Sequence, residues 1–251
     1  MKSLRHPFSI NSQSVEASSF SSFHDLSIGT DKQALPVSAP PSPRRSTGPT
    51  RGAIRVSILS MGNMHKYGEM FHDLLQIRRR VFIEKRGWEL PSVDGYEFDQ
   101  YDNPFSRWLV LHRYGEILAG VRLTPTTAQC GIYTYMIRDA QRGLLEDIPS
   151  DLLICEAPVS PKVWEASRIF VTDDVPARDR LIVRKQLLQA ITDAAYKEGA
   201  KFVIGIVPHL WKRWSSRLDL DSGAFGPKRE IAGEVCQVAL LKTKLDISKG
   251  N

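Results

Sequence analysis

The chain has 251 residues, of which 42% are hydrophobic and 25% charged, and a formal net charge of +6. That length buries a full core in one domain with room for an added segment. The near-average composition, without an apolar run long enough to span a bilayer, argues against a membrane-embedded chain. Residues 1–52 carry six Lys/Arg against three Asp/Glu, leaving 28 against 25 for the remainder, so half of the positive excess lies in this first stretch and charge gives little support to a nucleic-acid partner.

Residues 1–52 are rich in Ser and Pro, with Pro36, Pro40, Pro41, Pro43 and Pro49 near the end and no apolar period. Such a stretch cannot offset its ordering entropy by burial, so it reads as a disordered extension ahead of a folded domain at 53–251. A secretory signal is not expected because residues 1–10 lack a continuous apolar region, and Glu16, Asp25 and Asp31 speak against a transit peptide. From Ile54 onward Ile54, Val56 and Ile58 alternate with polar residues as in a half-buried strand. Tyr67, Phe71, Leu74, Leu75, Val81 and Phe82 then recur at helical spacing, which predicts a helix over 66–86 ended by Gly87. Residues 87–106 read as an irregular loop bearing Asp94, Glu97, Asp99 and Asp102.

Residues 108–112 and 117–124 predict two strands joined at Tyr114-Gly115 in a β-hairpin. Further on, 163–171 predicts a strand, 178–197 a helix ending before Gly199, 201–207 an almost wholly apolar strand, and 235–241 a last strand. The expected fold class is α/β, built on a mixed sheet. Cys130, Cys155 and Cys236 are widely separated and lack CxxC spacing, so neither a disulfide framework nor a metal site is expected, and a reducing cytoplasm suits them.

Several charged residues break the apolar pattern. Arg78 lies on the helix face of Phe71, Leu74, Leu75, Val81 and Phe82, where a charge needs a partner; the carboxylates of the following loop, Asp99 and Asp102, are placed to clamp it. The plainer reading is a structural salt bridge. Arg122 shares a strand face with Leu118, Gly120 and Thr124, and pattern alone favours an arginine at the sheet surface. Glu165 and Arg168 fall in a strand whose two faces are both at least partly covered, and a buried carboxylate with a raised pKa is a candidate base. Residues three apart on a regular strand point to opposite faces, so the pair shares a site only across a β-bulge.

Taken together, these residues resemble the acyl-homoserine lactone synthases, the LuxI-type autoinducer synthases, over residues 54–245. The blocks that carry the likeness run in order. They are Arg78-x-x-Val81-Phe82 with Gly87-Trp88, then Glu97-Phe98-Asp99-Gln100-Tyr101-Asp102, then Gly120-Val121-Arg122-Leu123-Thr124-Pro125-Thr126, then Trp164-Glu165-Ala166-Ser167-Arg168, and last Phe225-Gly226-Pro227. The resemblance implies an α/β/α sandwich related to the Gcn5-type acetyltransferases, with a mixed sheet splayed open to admit an acyl-pantetheine arm. It implies that an acyl group passes from acyl carrier protein or acyl-CoA to the amine of S-adenosylmethionine. Lactonisation then releases methylthioadenosine and a quorum-sensing signal. By matching position, Glu165 and Arg168 become the catalytic candidates, and Arg78, Phe82, Trp88, Asp99, Asp102 and Arg122 the substrate-binding set.

Chemistry gives each a role: carboxylates and aromatic faces suit the sulfonium and ammonium of S-adenosylmethionine, and an arginine suits its carboxylate. Ala166, Ile204 and Ile206 are acyl-pocket candidates, and the apolar run there favours an unsubstituted or otherwise apolar acyl group over one needing a hydrogen bond. Arg178, Arg180, Arg184 and Lys185 are candidates for docking an acidic carrier, with a solvated helix face as the equal alternative. No cofactor, nucleic acid or membrane is expected as a partner. Two rivals stay open: an acetyl-CoA-dependent N-acetyltransferase of the same fold, disfavoured by the Gly-free turn 172–177, and a non-catalytic nucleic-acid-binding regulator using Arg44, Arg45 and Arg51.

Overall fold

The computed structural model describes residues 52–211 and 220–243. The disordered extension expected at the start of the chain thus lies outside the described residues, Gly52 apart. In chain order the elements are β1 (Arg55–Leu59), α1 (Met70–Arg78), a π-helical segment (Arg79–Lys85), β2 (Ser92–Val93), β3 (Tyr96–Glu97), β4 (Arg107–Arg113) and β5 (Glu116–Pro125). They continue with α2 (Met136–Gln141), β6 (Val163–Val171), α3 (Ala177–Lys197), β7 (Phe202–Pro208), β8 (Ser222–Ala224), β9 (Arg229–Ile231) and β10 (Glu234–Lys242).

The main sheet runs β1-β4-β5-β6-β7-β10-β8, with β9 also paired to β10. Strand alternation sorts the core onto its two faces. Leu109, Leu111, Val121, Leu123 and Ala166 pack with Val183, Leu187, Leu188 and Ile191 of α3 on one face. On the other, Trp108, Val110 and Phe170 pack with Phe71, Leu74 and Leu75 of α1, and Ile204 and Val238 with Ile137 and Ala140 near α2. Each large apolar side chain buried in this way contributes roughly 1.5–3 kcal/mol. The result is the expected α/β/α sandwich on a mixed sheet.

Among the described residues all strand pairs are antiparallel except β6 with β7, whose parallel ladder covers only Val163–Glu165 against Phe202–Ile204. Past that point β7 stays with β10 as far as Pro208 and β6 stays with β5 as far as Val171, so the two strands part and leave a V-shaped opening. Gly205 stands at the apex: a Cβ there would lie 2.7 Å from the carbonyl oxygen of Ala166, nearer than any side chain tolerates.

Three expectations need correction. The single helix over 66–86 is broken into a 3-10 turn at Met64–Tyr67, α1 and the π-helical segment. Gly68 (φ 58°) separates the first two. The wider π turn leaves Arg78 and Phe82 buried while Arg80 is exposed. Gly87 (φ 67°) does end the helix as expected. Second, the loop over 87–106 contains the β2–β3 hairpin, whose turn places Asp94 and Gly95 at φ 51° and 86°, the left-handed geometry of a two-residue hairpin connection. Third, α2, β8 and β9 were not foreseen. α2 has six residues, too few to show a helical period.

Candidate active site

The carboxylates of residues 97–102 meet three arginines delivered by three different elements. From the end of α1, Arg78 donates through Nε to Glu97 Oε2 at 2.5 Å and through both terminal nitrogens to Asp102 at 2.7 and 2.9 Å. From β5, Arg122 donates both terminal nitrogens to Asp99 at 2.5 and 3.2 Å and its Nε to the Ser167 hydroxyl at 3.1 Å. From β6, Arg168 donates to Glu97 at 3.0 Å and to Asp99 at 2.8 Å. Three guanidiniums thus face three carboxylates, and all six side chains are at least nine-tenths buried.

The loop that carries the acids is shaped by its own short-range bonds. Asp99 accepts the Tyr101 backbone N–H, Asp102 accepts that of Asp99, and the Ser106 hydroxyl donates to the Tyr101 carbonyl. Trp108 Nε1 donates to Asp102 as well. Burial alone would raise the two aspartates, but Arg122 and Arg168 hold the Asp99 carboxyl below its usual range, and Arg122 and Arg78 do the same for Asp102.

The expected clamp on Arg78 is therefore half right: Asp102 is its partner, but Glu97 takes the other place and Asp99 turns to Arg122 and Arg168. The reading of Arg122 as a surface arginine is overturned, since only 1% of it is exposed. The bulge that Glu165 and Arg168 required is present. Between Gly120/Phe170 and Arg122/Ser167 the ladder passes two residues on β5 but three on β6, and Arg168 takes the left-handed φ of 54°. This brings the Arg168 guanidinium into the network of Arg122, whose neighbour on β5, Thr124, is the register partner of Glu165.

Glu165 is 1% exposed. It accepts the backbone N–H groups of Met136 and Ile137, the first residues of α2, at 3.0 and 2.8 Å. Burial pushes its carboxyl up to about 7, against the lowering pull of the Ile137 and Met136 N–H groups and of Arg122. Its register partner on β7 is Ile204, the last pair before the strands separate, so the carboxylate sits at the root of the opening.

Beside the network Phe82 stacks on Trp88, ring centroids 5.1 Å apart and 18° from parallel. The guanidinium of Arg168 lies 5.8 Å from the Phe82 centroid, and that of Arg86 lies 5.2 Å from both rings.

The acyl-pocket candidates divide. Ile204 and Ile206 belong to the cluster around α2, whereas Ala166 points to the opposite face among the α3 side chains, because it neighbours Glu165 on the same strand. Of the docking candidates, Arg178 and Lys185 are exposed. Arg180 folds back onto the carbonyls of Val175 and Asp173, and Arg184 is half-buried. The residues overlooked in the sequence are Glu97, Ser167, Tyr101 and Asp139; the first three lie inside the recognised blocks, whereas nothing local marks Asp139. Among the described residues no group of three His, Cys, Asp or Glu side chains is arranged to hold a metal ion, and no helix is long and apolar enough to cross a membrane.

The family described as autoinducer synthase matches residues 63–244. The chain belongs to that family. An acyl-homoserine-lactone synthase of Ralstonia solanacearum is 32% identical over 167 residues, which is 64% of this chain and 76% of the relative. Among solved structures, TofI in a ternary complex with an inhibitor and MTA is 27% identical with a TM-score of 0.59, over 75% of this chain and 91% of that one. A CoA-dependent acyl-homoserine lactone synthase, BjaI, solved with SAM and isopentyl-CoA, shares the fold at 22% identity with a TM-score of 0.62, over 76% and 84% of the two chains.

This autoinducer synthase is thus an acyltransferase, an acyl-homoserine-lactone synthase. Its Gly-free turn before α3 explains why the simple acetyltransferase reading fares poorly. Asp173 pairs there with Lys85 and stands 3.6 Å from Arg180, and Asp174 stands 3.9 Å from Arg80. A helix N-terminus that cradles pyrophosphate wants no carboxylates at its mouth.

Proposed function

We propose that Glu165 is the base that frees the amine of S-adenosylmethionine for attack on the acyl thioester. The observation that carries this is a buried carboxylate, pushed up to about 7, at the root of the β6–β7 opening. A group of that affinity is about half ionised near neutral pH, which suits a general base. It takes one ammonium proton, directly or through water; the nitrogen lone pair then attacks the thioester carbonyl, the C–S bond breaks, and the thiolate recovers a proton. In the second step the carboxylate of the bound acylated substrate attacks its own γ-carbon and expels neutral methylthioadenosine. Holding those ends together supplies the advantage of an intramolecular reaction.

Arg168, at 8% side-chain exposure the least enclosed arginine of the network, faces the substrate in this reading, together with the Phe82–Trp88 pair, whose stacked rings suit a sulfonium or adenine. Arg78, Asp99, Asp102 and Arg122, mutually saturated, act by holding loop, helix and strand in place. Ile204 and Ile206 wall the acyl chain, and because their strand offers no side-chain hydrogen-bond donor the preferred acyl group is unsubstituted. No cofactor is needed, since the sulfonium substrate brings its own leaving group.

The donor we favour is acyl carrier protein. Arg178 and Lys185 are exposed near the start of α3 with Leu181 (57% exposed) and Ile182 (54%) between them. This mixed basic and apolar stripe fits an acidic helical partner and lies on the helix that follows β6. We place the enzyme in the cytoplasm, whose reducing conditions suit its three free cysteines, without nucleic-acid or membrane partners. The test is methylthioadenosine release and lactone mass spectrometry with purified protein, S-adenosylmethionine and matched acyl carrier protein and acyl-CoA thioesters. Wild type yields an acyl-homoserine lactone, with a lower KM for the carrier-bound donor, and Glu165→Gln loses at least about a hundredfold in kcat. Undiminished turnover by Glu165→Gln overturns the assignment of the base.

A further inference from the structure

α2 is six residues long, too short to be held by its own hydrogen bonds. Two carboxylates hold its first turn. One is Glu165. The other is Asp139, with 0% exposure, which accepts the Thr134 backbone N–H and hydroxyl at 2.8 and 2.7 Å, the Tyr101 hydroxyl at 3.1 Å and the Arg142 guanidinium at 3.0 Å. Thr134 directly precedes Tyr135, the N-cap of α2, so Asp139 ties the entering chain to the helix. Tyr101 ties the same carboxylate to the acidic loop.

We infer that Asp139 is a positioning residue for Glu165: it fixes the first turn of α2 so that the Met136 and Ile137 N–H groups meet the Glu165 carboxylate, and it keeps a second negative charge beside that carboxylate. This rests on Glu165 being the base. The charged and titratable groups facing Glu165 are Arg122 from β5, Asp139 from α2, and the hydroxyls of Tyr101 from the acidic loop and Tyr135 ahead of α2; β7 contributes Ile204. Burial, with Asp139 next for Tyr101 and Glu165 next for Tyr135, pushes both phenols well above their ordinary range. Both therefore stay neutral at working pH. Arg122 favours the carboxylate form of Glu165 and Asp139 the protonated form. Removing the charge of Asp139 lowers the affinity of Glu165 for its proton. Removing Arg142, which partly neutralises Asp139 from a side chain 42% exposed, raises it.

The experiment measures the rate of methylthioadenosine release against pH for wild type, Asp139→Asn and Arg142→Ala, and titrates Glu165 directly by carbon NMR in glutamate-labelled protein. The acid limb is expected to move down by about half a pH unit or more in Asp139→Asn and up in Arg142→Ala, a change of about threefold in relative rate one unit below the wild-type midpoint. The NMR titration moves in the same directions. Midpoints that stay in place in either folded variant, or that move opposite to these directions, overturn the inference. Arg142→Ala keeps the test decisive should Asp139→Asn fail to fold, because it leaves the buried bonds of Asp139 intact. An NMR midpoint that moves while the acid limb does not supports Asp139 and refutes Glu165 as the base.

Discussion

Arg122 rises from a strand whose neighbouring side chains on the other face are apolar, and its guanidinium is buried against Asp99, Asp102 and Ser167. Strand alternation tells which side chains share a face; whether that face meets water or another element depends on residues far away in sequence. That is why Arg78, Arg122 and Asp102 were legible as breaks in a pattern while the pairings themselves were not: Glu97 reaches Arg78 across 19 positions and Arg168 across 71. Removing one member strands the others. Asp102→Ala leaves Arg78, Arg122 and Trp108 Nε1 short of a partner in the core, and a loss of about 3–5 kcal/mol in unfolding free energy is expected by urea titration. The pH dependence has two opposing parts. Asp99 and Asp102 are depressed in the folded protein, so their stabilisation is complete above about pH 4 and is lost as the pH falls through their folded values. Glu165 is raised to about 7, so the folded form binds the extra proton between its unfolded value of about 4.5 and 7, and stability declines as the pH rises through that window. Thermal melts of Glu165→Gln are expected to lack the decline over this window and to keep the acid one; parallel curves for the two proteins would refute the assigned pKa.

At the scale of the element, the regular pieces followed from period alone: β1, β4, β5, β6, α3, β7 and β10 all lie where alternation or helical spacing placed them. The irregular pieces did not, and each has a physical reason. The β2–β3 hairpin was announced by Asp94-Gly95 but its strands are two residues each, too short to alternate. α2 has six residues, too few to show a period, and its first N–H groups bond to Glu165 from a distant strand. The bulge at Arg168 adds one residue to β6, and a single strand read by itself cannot reveal an extra residue relative to a neighbour. Two glycines mark where backbones nearly touch. A Cβ at Gly205 would stand 2.7 Å from the Ala166 carbonyl oxygen, and one at Gly226, in the Phe225-Gly226-Pro227 block, would overlap that of Leu152. Gly205→Ala is expected to cost about 1–3 kcal/mol and to lower lactone yield, since the apex of the opening has to shift. Gly226→Ala, the tighter of the two, is expected to cost more, and comparing the melting temperatures of the two variants checks the order.

For the molecule as a whole, the proposed reading divides the work between the splayed sheet, where the reaction is placed, and the surface of α3, where the donor is placed. Charge reversal of Arg178 and Lys185 is expected to raise the KM for a carrier-protein thioester about tenfold or more and to leave that for the matching CoA thioester unchanged; equal effects on both donors would refute the docking surface. The family match begins at residue 63 and the described sheet at Arg55, so a chain lacking residues 1–51 is expected to make the lactone at an undiminished rate, measured by mass spectrometry. The ionic cluster beneath the site has a further consequence for how such an enzyme diverges. Its six side chains share one set of bonds, so a lineage cannot revise any of them alone without passing through an ancestor that folds poorly. Descent is channelled elsewhere, toward the apolar wall of β7 and the exposed face of α3. With the acyl chain on β7 and the donor on α3, as proposed, new signals and new donors arise there while the ion cluster stays fixed.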